Sequence, residues 1–411
     1  MIYAMNKTRR VAGGIWFVIA AAALTSALAA QGLPPASSPS LPQLGQVLIV
    51  GGGPSKAQNQ VAIESNVRYV GRILPASTNY QVLFSDGDLQ SETVQFRADD
   101  RTLSYRAPNL PRLDGRADME SVRSALAKTA TAAQSAKTND VILYFTGHGS
   151  GDRPSNYANN WFALWSGGRF TVKELAQSID SFPAETPITL IMVQCYSGAF
   201  GNVLFQGGDP QGALIDRQVA GFFAAVPERT SAGCTPAINE AEYRDFTSYF
   251  FAALTGEDRM GRPISGADYD HDSRVMMDEA FAWSLINDDS IDTPVCTSDT
   301  FLRRFAPMAD ADIATTPFPV LSSWATPAQR AALEGLSTTL GLEGDTRLGV
   351  ALDRFTRMRP NSQALPDVKL LRFMNLVRSV AEAHALNGSD NDAAKRRLAE
   401  IQRGEHRNPF R

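Results

Sequence analysis

The chain has 411 residues, 44% of them hydrophobic and 20% charged. That is enough apolar material for one large buried core with a smaller region beside it, and it excludes a disordered or fibrous protein. The formal net charge is −4, the pI is about 5.7 and no basic stripe runs along the chain, which argues against a nucleic-acid partner.

Lys7, Arg9 and Arg10 precede an apolar, Ala-rich run from Val11 to Ala30, and Ala27-Leu28-Ala29 offers a small-residue cleavage site. Residues 1–30 therefore read as a signal peptide, followed by a Pro/Ser-rich linker at 31–44. An uncleaved anchor is the alternative, because about 20 apolar residues can span a bilayer. Small residues crowding the end of the run favour cleavage. The mature protein is then expected in the periplasm or outside the cell, free of the membrane.

Gln46-Val47-Leu48-Ile49-Val50 predicts a first strand, ending in Gly51-Gly52-Gly53. The glycine spacing matches neither a dinucleotide fingerprint nor a P-loop, so it reads as a tight turn. Ile63, Val67, Val70 and Leu74 share one helical face, and Tyr80–Phe84 is a second strand. Ser85 to Arg116 is polar and punctuated by Pro and Gly, which predicts a long surface loop. Asp118 is placed to cap a helix carrying Met119, Val122 and Leu126.

The next run is Asp140-Val141-Ile142-Leu143-Tyr144-Phe145-Thr146-Gly147-His148-Gly149-Ser150. Five consecutive apolar residues predict a strand buried on both faces, and it breaks into Gly-His-Gly. After a short insertion from Trp161 to Val172 and a helix over 173–179, Ile188 to Gln194 repeats the design and ends in Cys195-Tyr196-Ser197-Gly198. His148 and Cys195 are 47 residues apart, room for a loop, a helix and a neighbouring parallel strand. Imidazole and thiol would then emerge side by side at the carboxyl ends of two strands, where α/β sheets bind ligands. Gly221–Val226 predicts another strand and Phe246–Leu254 a helix.

Asp268, Asp270, Asp272 and Glu279 occupy positions 1, 3, 5 and 12 of a twelve-residue loop with an apolar residue at position 8. That is the oxygen-ligand pattern of a calcium loop, although Ser273 stands where glycine is usual. A solvated acidic turn before a helix is the alternative. Beyond residue 300 the apolar periodicity becomes helical throughout, with a capping box at Thr326-Pro327-Ala328-Gln329 and an apolar face of Leu370, Phe373, Met374, Val377 and Val380.

Strand-His-Gly followed by strand-Gln-Cys resembles the caspase and legumain group of cysteine peptidases. Tyr144–Ser150 and Cys195–Gly198 are most similar to the legumain branch, and the similarity covers roughly residues 45–290. The resemblance implies an α/β fold with a caspase-like, mostly parallel sheet and helices on both faces, as a peptidase domain at 45–300 followed by a helical region at 301–411. It implies a Cys195 nucleophile, a His148 acid/base and an oxyanion held by the backbone N–H groups of Cys195 and Gly149. The family's orienting asparagine falls near Gly51–Ser55, with Asn59 a few residues on, and transfers to no position here.

In legumains an acid precedes the nucleophile by two residues; here that position is Val193. Ala225–Ser231 resembles the wall of the same pocket, so Val193, Glu228, Arg229 and Ser231 are candidate pocket residues. Glu228, Arg229 or Asp245 could contact a charged substrate residue, but each reads first as a solvated surface charge.

The expected activity is endopeptidase cleavage of a peptide or protein substrate through a thioester. Transpeptidation by the same intermediate, or a non-catalytic binding module on the same fold, are the alternatives. No cofactor is required, a structural calcium ion is the one ligand the acidic loop suggests, and nothing fixes the oligomeric state. Helices beyond 300 would cover part of the peptidase domain and limit access to the cleft, or serve only stability or the binding of a partner. With Cys195 free, Cys234 and Cys296 remain, and an oxidising compartment predicts a bridge between them.

Overall fold

The computed structural model describes residues 44–98, 102–135, 140–151 and 156–410. The signal peptide expected at 1–30 and the linker expected at 31–44 lie outside these, except Leu44, which opens the first strand. The strands are β1 (Leu44–Gly52), β2 (Asn79–Phe84), β3 (Val94–Arg97), β4 (Leu103–Arg106), β5 (Asp140–Ser150), β6 (Trp161–Leu164), β7 (Gly168–Thr171), β8 (Ile188–Met192), β9 (Val219–Phe223) and β10 (Val295–Cys296). The main sheet runs β10-β9-β8-β5-β1-β2. Its five longest strands are parallel, and β10 pairs antiparallel with β9 at the edge. The order reverses between β1 and β5, and such a switch point opens a crevice at the carboxyl ends of the strands.

Two apolar layers explain why these strands read as continuous hydrophobic runs. Alternate residues point to opposite faces of a strand. Leu48, Val50, Leu143 and Phe145 join one buried cluster with α2 (Met119–Ser135), α3 (Val172–Ile179), α6 (Thr297–Phe305) and α12 (Asp392–Glu405). Val47, Ile49, Ile142 and Tyr144 join the other with α1 (Val61–Ile73), α4 (Phe246–Thr255) and α5 (Met277–Asn287). Both faces are covered, as a parallel sheet requires. Each buried Leu, Ile or Phe contributes about 1.5–3 kcal/mol, so truncating Phe145 is a severe change.

The helical region continues with α7 (Asp310–Ala314), α8 (Phe318–Trp324), α9 (Pro327–Leu340), α10 (Arg347–Arg357) and α11 (Leu365–Asn387). The capping box at Thr326 forms as read: its hydroxyl accepts from Gln329 N and the Gln329 side chain accepts in return. A third apolar cluster joins α9 and α11 to Ala282 and Leu285 of α5. Leu386 of α11 and Leu398 and Ile401 of α12 enter the core of the first cluster. The described residues make one compact unit.

One expected loop is not a loop. Within 85–116 lies the β3–β4 hairpin, with Val94 opposite Arg106 and Phe96 opposite Ser104. Four-residue strands are too short to establish an alternating pattern amid polar sequence.

Candidate active site

β5 and β8 pair in parallel register from Val141 against Ile188 to Phe145 against Met192, and Val193 N extends the ladder to the Phe145 carbonyl at 3.0 Å. Three residues further on stand His148, still within β5, and Cys195, in the turn beyond β8. β5 itself runs on through Ser150 and is held there by β6, with His148 opposite Ala163. Gly149 lies against the nucleophile strand. A Cβ at 149 would sit 2.2 Å from the Cys195 carbonyl oxygen and 2.6 Å from Gln194 Cγ, so only glycine fits.

His148 is half-buried. Its Nε2 lies 2.9 Å from Gln60 Oε1, at the start of α1. Gln60 Nε2 in turn reaches Gln95 Oε1 at 3.5 Å, and Gln95 donates to Tyr105 Oη at 3.2 Å and to the Ala57 carbonyl at 3.0 Å. An oxygen on Nε2 fixes the tautomer with its proton there and leaves Nδ1 as the base. Burial pushes the imidazole below its usual value of 6.5, with a hydrogen bond to the Gln58 carbonyl opposing. Asn59, the neighbour weighed for the orienting role, is fully buried and does something else. Its Oδ1 accepts from Gly53 N at 3.1 Å and its Nδ2 donates to the Thr93 carbonyl at 3.1 Å, pinning the glycine turn.

Among the described residues the Cys195 thiol has hydrogen bonds to Ser231 alone. Ser231 N donates to Sγ at 3.2 Å, Ser231 Oγ stands 3.8 Å away, and Sγ donates to the Ser231 carbonyl at 3.7 Å. Burial raises the thiol above its usual 9.0; the Ser231 donors lower it and the nearby Asp292 charge raises it. Thiol and imidazole are thus both neutral near pH 7. The residue after the nucleophile is also unusual: Tyr196 has φ of 61°, left-handed for a non-glycine. It is fixed there by Tyr196 N on the Arg229 carbonyl at 2.7 Å, by Asn160 Nδ2 on its own carbonyl at 3.1 Å, and by stacking on Tyr157.

Of the candidate pocket residues, Ser231 touches the thiol, and its Oγ donates to the Val193 carbonyl at 3.0 Å. Val193 is buried beneath it. Glu228 lines a separate cavity of about 420 Å³ with Gly198, Asn202 and Arg303. Arg229 is buried and donates to the Ser362 carbonyl in the helical region, so it is neither a solvated charge nor turned to the thiol. Asp245 is buried too, accepting from Asn66 Nδ2 at 3.1 Å and from Ser248 N at 2.8 Å beside Arg259. Charge alone does not show that a side chain has partners distant in sequence.

The expected Cys234–Cys296 bridge is absent: Cys195, Cys234 and Cys296 are all free thiols. Cys234 Sγ donates to the Gly147 carbonyl at 3.5 Å, beside the end of β5. Cys296 lies on β10 and contacts Ser298 Oγ at 3.1 Å. Three strand spacings of about 4.8 Å separate β5 from β10, beyond the roughly 7 Å limit between bridged Cα atoms.

In the acidic loop, Asp268, Asp270 and Glu279 bring ligand oxygens within 4.8 Å of one another. Asp268 Oδ1 is buried and lacks a partner among the described residues. Ser273, at the usual glycine position, adopts the left-handed φ of 72° that the loop demands there. Asp272 is outside the trio; its Oδ1 accepts from Arg274 N at 2.8 Å, a local turn that competes with ligation. Glu279 meanwhile accepts from Tyr269 N, Asp270 N and Met276 N. Three hard carboxylates with an orphaned buried oxygen suit a calcium ion.

No family model matches the chain, and neither does any curated protein. Solved structures with a similar path include a structural-genomics protein of Geobacter sulfurreducens, 13% identical over 62% of this chain and 92% of that one, with a TM-score of 0.38. Others are the Drosophila initiator caspase Dronc (8% identical, 55% of this chain, 71% of that one, TM-score 0.29) and a secreted cysteine protease of Bacteroides thetaiotaomicron in complex with an irreversible peptide inhibitor (13%, 67%, 71%, 0.30). Likenesses of this size assign no chemistry to this chain.

Proposed function

We propose that this protein is a cysteine endopeptidase acting on peptide or protein substrates. The observation that supports the reading best is the β5–β8 register, whose last pair, Phe145–Met192, stands three residues before both His148 and Cys195, with Gly149 packed against the Cys195 peptide. Nδ1 of a neutral His148 takes the thiol proton as Sγ attacks the substrate carbonyl. The Cys195 and Gly149 N–H groups would hold the oxyanion. His148 then passes the proton to the leaving amine, the C–N bond breaks, and a thioester remains on Cys195. Water, deprotonated by His148, cleaves the thioester and restores the thiol. A peptide carrying a thiol-reactive group tests the reading. Labelling at Cys195, together with peptide turnover lost in Cys195→Ala, is expected; a protein that neither labels nor cleaves is a binding module instead.

Read as a signal peptide, residues 1–30 would send this chemistry to the periplasm or outside the cell; no helix among the described residues is long and apolar enough to cross a membrane. Asp268, Asp270 and Glu279 would bind calcium to brace the start of α5. Excess calcium should raise the melting temperature over chelator in the parent and leave Asp268→Asn unmoved. Equal unfolding curves for the parent in both conditions exclude the ion.

A further inference from the structure

Arg372 lies on α11, far along the chain from either reactive side chain, and is only 1% exposed. A buried guanidinium is costly unless every donor is used. Here Nε donates to the Asp292 carbonyl at 2.7 Å, Nη1 to the carbonyls of Leu285 at 3.2 Å and Asp288 at 2.6 Å, and Nη2 to the Ser290 carbonyl at 3.1 Å. The fully buried Asp288 carboxylate, 3.6 Å from Nη2, balances the charge. One side chain thus sets the path of residues 285–292.

That segment ends in Asp292, itself fully buried, whose carboxylate is spent on two backbone N–H groups. Oδ1 accepts from Ala232 N at 2.6 Å and Oδ2 from Phe246 N at 2.8 Å. Ala232 follows Ser231, the residue whose N–H, hydroxyl and carbonyl surround the Cys195 thiol. The helical region touches the same loop a second time, where Ser362 accepts from Arg229 and Gln363 Nε2 lies 3.3 Å from Thr230 Oγ1.

We infer that Arg372 is a positioning residue for Cys195, acting through Asp292 and the Ala232–Ser231 backbone, so that the C-terminal helices form part of the scaffold of the nucleophile. The inference rests on reading Cys195 as the nucleophile. It differs from an access-limiting role, because these contacts bear on the segments that hold Ser231 and none is made to the thiol itself. A lysine at 372 keeps the charge but has no planar fork to bridge four carbonyls. An asparagine at 292 keeps the shape and turns one amide donor against a backbone N–H.

The experiment uses the full chain as Arg372→Lys and Asp292→Asn, each first shown folded by circular dichroism. With peptide substrate, kcat should fall about tenfold or more with KM within about twofold, the signature of a displaced reacting atom. Alkylation of Cys195 by iodoacetamide, followed by mass mapping, should change rate about fivefold or more. If both folded variants keep the parent's kcat and alkylation rate within about twofold, the inference falls. Should Arg372→Lys fail to fold, the isosteric Asp292→Asn decides the matter. Should the parent cleave no peptide, the peptidase reading fails by itself, and alkylation of Cys195 still decides whether Arg372 sets the thiol.

Discussion

His148 is held from the amino-terminal side of the chain. Gln58 and Gln60 lie in the segment between β1 and α1, and the amides run on from there to Gln95 of β3 and Tyr105 of β4. Cys195 leaves the adjacent strand but is held from the other side, by Ser231, Asp292 and, behind them, Arg372 of α11. The imidazole's partners are neutral amides and carbonyls, which fix a tautomer at little cost in desolvation. The thiol's support ends in a buried ion pair, which does cost desolvation and holds one geometry firmly. Two groups that must meet are therefore supported mainly by different halves of the sequence, and the halves join where Cys234 Sγ donates to the Gly147 carbonyl at 3.5 Å and Ala62 N to the Thr235 carbonyl at 3.3 Å.

The strongest way to break this comparison is to remove the groups themselves. Cys195→Ala and His148→Ala are each expected to lose about 10³-fold or more in peptide turnover while keeping the parent's circular dichroism. Turnover persisting in either purified variant would separate the two strand ends from the chemistry. Next in size is Gly149→Ala. Its Cβ would lie 2.2 Å from the Cys195 carbonyl oxygen and must push β5 from β8. A loss of about 10²-fold in kcat with a stability cost of about 1–3 kcal/mol is expected, read from kinetics and denaturant melts.

Smaller effects sharpen the contrast between the two supports. Gln60→Ala removes one neutral hydrogen bond from the imidazole, worth about 0.5–1.5 kcal/mol, so kcat should fall about 3–10-fold. Alkylation of Cys195 by a neutral reagent should be hardly altered, since Gln60 does not contact the thiol. A large change in alkylation would show that the two supports are coupled. The smallest effect is on pH. Burial lowers His148 and raises Cys195, so imidazole loses its proton below 6.5 and the thiol keeps its proton past 9.0. Activity should rise through an acid limb below pH 6.5 and hold across neutrality. The alkylation rate of Cys195 should still be climbing above pH 9.0. An alkylation midpoint near neutrality would instead indicate a preformed thiolate–imidazolium pair.

The sequence alone carried the local part of this design. Runs such as Val141–Phe145 and Ile188–Met192 are buried on both faces and announce themselves as strands, and each leads to one reactive side chain, His148 between two glycines and Cys195 three residues before Gly198. The helical C-terminus was legible from periodicity and a capping box; Ser273 stood in the acidic loop as a departure from the expected glycine, and only the structure shows it in a left-handed conformation. Only the tertiary structure decided the partners. Gln60 reaches His148 across 88 positions, Ser231 reaches Cys195 across 36 and Arg372 reaches Asp292 across 80. Asn59 was the more suggestive residue for the first role, yet the turn at Gly53 occupies it and its neighbour faces the imidazole. Cys234 and Cys296 looked like a pair by count, and the sheet sets them too far apart. Local pattern fixes where a chain is buried because burial follows periodicity. Which polar groups meet depends on how the elements cross, and a contact made across tens of residues leaves no spacing to read.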